Sequence, residues 1–338
     1  MRPKSNILIA ILSVPLLLFT YKISNGQQIT PEDADVYASP VPGEKVIGRW
    51  DITLNYKNTK RPSWLEIYKS GGKTLVGKFV GMGGSERPIT QIHYNTNTEE
   101  YSFSIPAQWG NDQVASTFSL DNGELKGTFK IGKEQIESSW MGKRAPKLDE
   151  KVGKQMSWGQ PIDLLQNGLS DWKFTRGWEI NNGVLAIKAK GTEQDRNKGG
   201  NQNIRTKEKF KDFKLHVEFR YGKGANSGIY LRGRYEVQIL DSYGMEAESH
   251  ILGGIYGFLS PIKNYAKKPE EWQSLDVTLI GRYVTVVLNG QQIICNRPIP
   301  GITGGALDAN EGEPGPIMIQ GDHYGLLEYR NMSITPAK

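Results

Sequence analysis

Phe213-Lys214-Leu215-His216-Val217-Glu218-Phe219-Arg220 alternates apolar and polar residues without a break. Period two with one polar face is the pattern of an antiparallel strand buried on one side. Arg234-Tyr235-Glu236-Val237-Gln238-Ile239 repeats it in the same phase. Further on, Val284 to Ile294 is split by Asn289-Gly290, the pair that favours a type I′ hairpin turn. No segment carries a long helical period, and only Lys267 to Glu271 hints at a turn of helix. The C-terminal part, residues 157–338, therefore reads as an all-β sandwich.

Working outward, residues 45–145 carry more short strands, among them Trp64-Leu65-Glu66-Ile67-Tyr68 and Tyr101-Ser102-Phe103-Ser104-Ile105. Asp121-Asn122-Gly123 marks another hairpin. About eight strands fit at the spacing of sandwiches and barrels, which predicts a small lipocalin-like β-barrel. The charged, Pro-containing stretch 146–156 separates the two domains, and 338 residues suit two domains better than one.

At the start, Arg2 and Lys4 precede an apolar run from Ile7 to Phe19. The run is shorter than the ~20 residues of a membrane span and reads as the core of a signal peptide ending near residue 26. Residues 27–44 read as a polar, Pro-rich linker. The expected location is periplasmic or extracellular. No cysteine follows the run, which argues against a lipoprotein anchor, and the mature chain has no second segment apolar enough to span a bilayer.

Composition narrows the function. The net charge of +6 is spread along the chain, so no nucleic-acid footprint stands out. The single cysteine, Cys295, excludes an intramolecular disulfide and reads as a small buried hydrophobe. Four histidines without paired spacing argue against zinc. The acidic loop Asp308 to Glu313 lacks the spacing of a calcium loop. The sequence requires no cofactor, and a divalent cation stays open. There is no Gly-x-Ser-x-Gly elbow and no phosphate-binding loop.

Glu218, Arg232, Glu236 and Gln238 fall on polar strand positions that a hairpin connection would bring onto one sheet surface. Sugars need planar polar groups backed by aromatics, and Tyr230, Tyr235, Tyr243, Tyr256 and Trp272 can supply those. Solvated sheet faces show the same alternation. Glu236 to Asp241 resembles the Glu-x-Asp-x-x-Glu strand of retaining β-glucanases, with Gln238 in the middle position. A retaining pair needs carboxyls about 5–5.5 Å apart. A second cluster follows the strand ending at Gln320, where Asp322 beside His323 can orient an imidazole.

Several ordered blocks resemble the 3-keto-disaccharide hydrolase domain family. They are Asn167-Gly168 through Trp172, Trp178 through Leu185, Lys211 through Arg220, Asn226 through Arg232 and Tyr235 through Asp241. Glu271-Trp272-Gln273, Leu288-Asn289-Gly290 and Gly315 through His323 follow in the same order. One loop departs from the family, reading Ser249-His250-Ile251-Leu252-Gly253-Gly254-Ile255-Tyr256 in place of Asn-Pro-Thr-Gly-x-x-Tyr. The resemblance implies a concanavalin A-like jelly roll that cleaves sugars oxidised at C3. On that reading Glu236 is the base or acid, and Arg232 and Gln238 stabilise the enolate. His323, oriented by Asp322, is the second proton carrier, and Glu218 positions Arg232. Asp241, Tyr256, Trp272 and Gln320 complete the expected substrate contacts. A conventional retaining β-glucanase and a non-catalytic carbohydrate-binding module are the alternatives, since a fold does not dictate function.

Overall fold

The computed structural model describes residues 44–56, 59–81, 84–107, 112–133, 136–148, 156–187, 202–321 and 325–338. The expected signal peptide lies outside the described residues.

Eight antiparallel strands close the N-terminal barrel: β1 (Gly48–Tyr56), β2 (Thr59–Ser70), β3 (Thr74–Val80), β4 (Glu86–Asn95), β5 (Glu100–Ile105), β6 (Val114–Asp121), β7 (Glu124–Ile131) and β8 (Ile136–Arg144). Closure pairs β1 with β8 and leaves no free edge. Inward positions carry large rings, and they fill the lumen. Phe129 lies 4.9 Å from Phe79 and 5.3 Å from Trp140, centroid to centroid. A barrel of eight strands holds either side chains or one small ligand. Here the side chains occupy it, so what this barrel offers other groups is its outer wall.

The C-terminal strands are β9 (Ile162–Asp163), β10 (Trp172–Lys173), β11 (Trp178–Asn181), β12 (Val184–Ile187), β13 (Ile204–Thr206), β14 (Phe213–Tyr221), β15 (Asn226–Leu231), β16 (Tyr235–Leu240), β17 (Gln273–Ile280), β18 (Tyr283–Leu288), β19 (Gln291–Pro298), β20 (Met318–Ile319) and β21 (Leu327–Pro336). They form a five-stranded sheet in the order β10-β13-β20-β15-β16 and an eight-stranded sheet in the order β11-β12-β21-β14-β17-β18-β19. Leu215, Val217 and Phe219 of β14 meet Ile229, Val237 and Ile239 of the smaller sheet in one core. The fold is thus all-β, a closed barrel followed by a sandwich. Lys267 to Glu271 is a bend and turn, not helix.

Cys295 corrects an expectation, because it is exposed. The register of β19 against β18 slips near Val286, so that Ile293 and Ile294 are both buried. The bulge spends the inward phase on those two residues and turns Cys295 outward.

Barrel and sandwich meet through dry contacts. Trp64 and Val80 of the barrel cluster with Ile302 and Ala306 of the sandwich, and Phe258 packs against them. Arg49 of β1 pairs with the buried Glu311 at 2.9 Å, and the Tyr235 hydroxyl donates to the same carboxylate at 2.7 Å.

Candidate functional site

The hairpin from β15 to β16 builds the site. Its register sets Tyr230 opposite Glu236 and Gly228 opposite Gln238. Ile229 and Val237 point into the sandwich core, so Tyr230, Glu236 and Gln238 point away from it. That face is not wet. Glu236 is only 4% exposed.

Two distant segments cover it. Gly253 to Tyr256 runs along the edge of β16, where the Gln238 amide donates to the Gly254 carbonyl and the Tyr256 amide to the Glu236 carbonyl. From the other side, the Thr303 hydroxyl accepts the Glu236 amide at 3.0 Å, and the Gly304 carbonyl accepts the Tyr230 hydroxyl at 2.9 Å. Both covers lean on the barrel. Ile302 and Ala306 flank the second and pack on Trp64, while Phe258 follows the first. The Ser85 hydroxyl lies 2.9 Å from Nε2 of His250, whose ring stands edge-on to Tyr256.

A buried carboxyl needs hydrogen-bond partners. The Tyr230 hydroxyl lies 2.8 Å from Oε2 of Glu236 and accepts from Nε2 of Gln320 at 3.0 Å. With its one proton, Tyr230 can serve either the carboxylate or the Gly304 carbonyl. When Glu236 is charged, Tyr230 donates to it. When Glu236 is protonated, it donates to Tyr230, which turns to Gly304. Rotating one hydroxyl therefore accommodates both forms of the acid, which suits proton transfer. Oε1 of Gln320 is buried without a hydrogen-bond partner among the described residues, an acceptor suited to a ligand hydroxyl.

Glycines make the room. A Cβ on Gly228 would sit 2.2 Å from Oε1 of Glu236, and one on Gly305 would sit 2.5 Å from the Tyr230 hydroxyl. A methyl group at either position would displace the group it meets, so glycine leaves the carboxyl and the hydroxyl their places.

The other expected site residues scatter. The surface shared by Glu218, Arg232, Glu236 and Gln238 does not form. Glu218 lies on β14 in the opposite sheet, where Asn331 and Arg330 hold its carboxylate at 3.0 and 2.7 Å and push it below its ordinary range. It does not position Arg232. Arg232 sits in the hairpin turn at φ 55°, and its Nη1 and Nη2 donate to the carbonyls of Glu311 and Gly281. Burial holds its pKa down. Trp272 is stacked against Arg330 at 3.9 Å and Arg220 at 5.1 Å, far from β16 in the strand order. Asp241 caps a turn by accepting the Gly224 amide at 2.8 Å. Asp322 and His323 lie outside the described residues. The structure thus brings together Glu236, Gln238, Gln320 and the Tyr256 backbone. Tyr230 was expected only as an aromatic backing for a sugar, and Thr303 was not expected at all.

The acidic loop has a structural use. Asp308 pairs with Arg234 at 2.6 Å, and Glu311 with Arg49. Among the described residues, no group of three or more His, Cys, Asp or Glu side chains is placed to hold a metal ion. No helix among them is long and apolar enough to cross a membrane.

Fold and comparison agree on the class, a glycoside-cleaving β-sandwich. Residues 161–335 match the family described as the 3-keto-alpha-glucoside-1,2-lyase-like domain, and the chain belongs to that family. No curated protein matches it. Among solved structures, a candidate glycosyl hydrolase from Parabacteroides distasonis ATCC 8503 shares 27% identity, over 56% of this chain and 93% of its own, with a TM-score of 0.42. Another from the same organism shares 22% identity, over 52% and 98%, with a TM-score of 0.40. Scores of that size mark partial overlays, and the assignment rests on the family match.

Proposed function

We propose that the protein is an exported enzyme that cleaves 3-keto-glycosides, with Glu236 as its acid-base group. The observation that carries the reading is the buried Glu236–Tyr230–Gln320 cluster, a carboxyl whose partners among the described residues are neutral. A ketone at C3 acidifies the hydrogen on C2. Glu236 takes that proton, the glycosidic oxygen leaves C1 with its bonding electrons, and a C1–C2 double bond remains. Water then adds across that bond to give the free keto sugar. The leaving oxygen needs a proton, which His323 would supply with Asp322 orienting its ring. Oε1 of Gln320 would accept a sugar hydroxyl, and Gln238 on the same face would steady the enolate. Export rests on the apolar run near the start of the chain.

A retaining β-glucanase fits less well. Its second carboxyl must lie about 5–5.5 Å from the first. Glu218 is on the other sheet, and Asp241 is five residues along the strand, about 16 Å at strand rise. The test offers the purified protein a 3-keto-disaccharide beside its unoxidised parent. Cleavage of the keto form alone, lost on Glu236→Gln by ~10²–10⁴-fold, is expected. Cleavage of the parent, or undiminished turnover by the variant, overturns the reading. Binding of the sugar without cleavage would make the domain a binding module.

A further inference from the structure

The outward row that carries Glu236 continues across the five-stranded sheet. Glu236 pairs with Tyr230, Tyr230 with Met318, Met318 with Arg205, and Arg205 with Lys173. Strands lie about 4.8 Å apart, so Arg205 is roughly 14 Å from Glu236 along the row. Tyr230 and Met318 between them are buried. The far end of the row is therefore a recess of its own on the same face.

That recess is about 280 Å³ and strongly basic. Lys173, Arg205, Lys207, Lys209 and Arg234 line it, against the single carboxylate of Asp308. Asp308 is already engaged, accepting Nε of Arg234 at 2.6 Å and the Asn310 amide at 2.9 Å. Arg234 is buried, and its Nη1 donates to the Glu313 carbonyl at 2.7 Å. Its Nη2 makes no hydrogen bond among the described residues. Arg205 lies over the Phe174 ring at 4.0 Å and makes no ion pair with a described residue. Lys173, Lys207 and Lys209 likewise make no ion pair with a described residue. Cations crowded into one recess repel each other, and a guanidinium donor without a described partner asks for an acceptor. Planar forks and ammonium groups together match the oxygens of a carboxylate or sulfate.

We propose that this recess seats an anionic substituent, a uronate carboxylate or a sulfate ester, of the glycan that the protein acts on. The glycan part rests on the function proposed above, and the anion site does not. The protein would thus hold its substrate at two places on one sheet face, by charge at the basic end and by chemistry at Glu236.

Calorimetric titration at low ionic strength tests this with four probes: glucuronate, glucose 6-sulfate, inorganic sulfate and glucose. Both charged sugars are expected to bind and glucose not, with affinity falling as salt rises. Arg205→Gln, and separately the pair Lys207→Ala and Lys209→Ala, should each weaken binding at least tenfold while melting temperature stays near that of the parent. Inorganic sulfate binding as tightly as the charged sugars would overturn the glycan assignment. Absence of binding, or binding unchanged in the variants, would overturn the site. Turnover of a neutral 3-keto-disaccharide by the unmodified protein separates the two ideas. Charged sugars bound without turnover sink the enzyme reading alone, and turnover without charged-sugar binding sinks the recess alone.

Discussion

Trp64 of the barrel meets Phe258 of the sandwich edge to face, with ring centroids 6.2 Å apart and planes at 79°. Phe258 lies two residues beyond Tyr256, whose amide bonds the Glu236 carbonyl. Trp64 also packs on Ile302 and Ala306, which flank the residues bonded to Glu236 and Tyr230. The barrel wall therefore braces both covers of the site. Trp64→Ala should cost about 3–5 kcal/mol of stability, as large-to-small changes at buried tryptophans do. It should also lower kcat more than it raises KM. A variant that melts early yet turns over normally at low temperature would show that the barrel only tethers.

Tyr230→Phe removes the hydroxyl that satisfies Glu236 and anchors Gln320. A carboxylate that loses a donor binds its proton more tightly. The acid limb of the pH–rate profile should move to higher pH, and turnover at neutral pH should fall by about 10²-fold or more. A profile that keeps its midpoint while kcat drops would assign Tyr230 to substrate contact instead.

Gly228→Ala places a methyl group where Oε1 of Glu236 now lies. Overpacking of this kind costs typically 1–3 kcal/mol, so the fold should survive with its carboxyl displaced. Loss of turnover in a protein whose circular dichroism is unchanged is the expected result, and full activity would place the reacting acid elsewhere.

Asp51 on β1 is pushed up to about 7, by burial first and then by the charge of Glu311, with Arg49 opposing. Burial raises Glu311 as well. The folded Asp51 holds a proton that the unfolded chain releases near pH 4, so the fold binds more protons between there and about pH 7. Its contribution to stability is whole below pH 4 and is lost as pH rises through 7. Partial exposure reduces the effect through solvent screening, and Asp51→Asn should stabilise the protein at pH 8 by on the order of 1 kcal/mol. Melting temperatures at pH 5 and pH 8 should differ less in the variant than in the parent.

Trp272 makes a contrasting case. Its ring lies against Arg220 and Arg330 of the larger sheet. Trp272→Ala should cost about 0.5–1 kcal/mol per exposed cation–π contact and leave KM unchanged. A raised KM would bring that face into substrate binding.

Alternation in Phe213 to Arg220 was enough to assign the inward residues, because side chains in a strand alternate faces whatever the rest of the chain does. The Asn-Gly turns were equally local, and Asn122-Gly123 and Asn289-Gly290 both take positive φ. What alternation cannot say is which polar face stays wet. Glu236 is dry because Thr303 and Gly304 fold over it from more than sixty residues away. Glu218 is remote because the chain crosses between sheets in the few residues from Tyr221 to Asn226. That crossing has no periodic signature. Tyr230 was within reach, since a short turn between Leu231 and Tyr235 sets it opposite Glu236. Its role needed that register, not its aromatic character.

The filled barrel also bears on how this protein can be handled. With its lumen filled and its strand edges closed, it gives up apolar surface where Trp64 and Val80 face the sandwich. Cutting the chain between the domains would strip the matching patch of Ile302, Ala306 and Phe258 and set it in water beside the buried acid of Glu311. An apolar patch set in water is a surface for self-association. The sandwich produced alone should be poorly soluble, and solubility, rather than chemistry, would be the first thing the barrel is seen to confer.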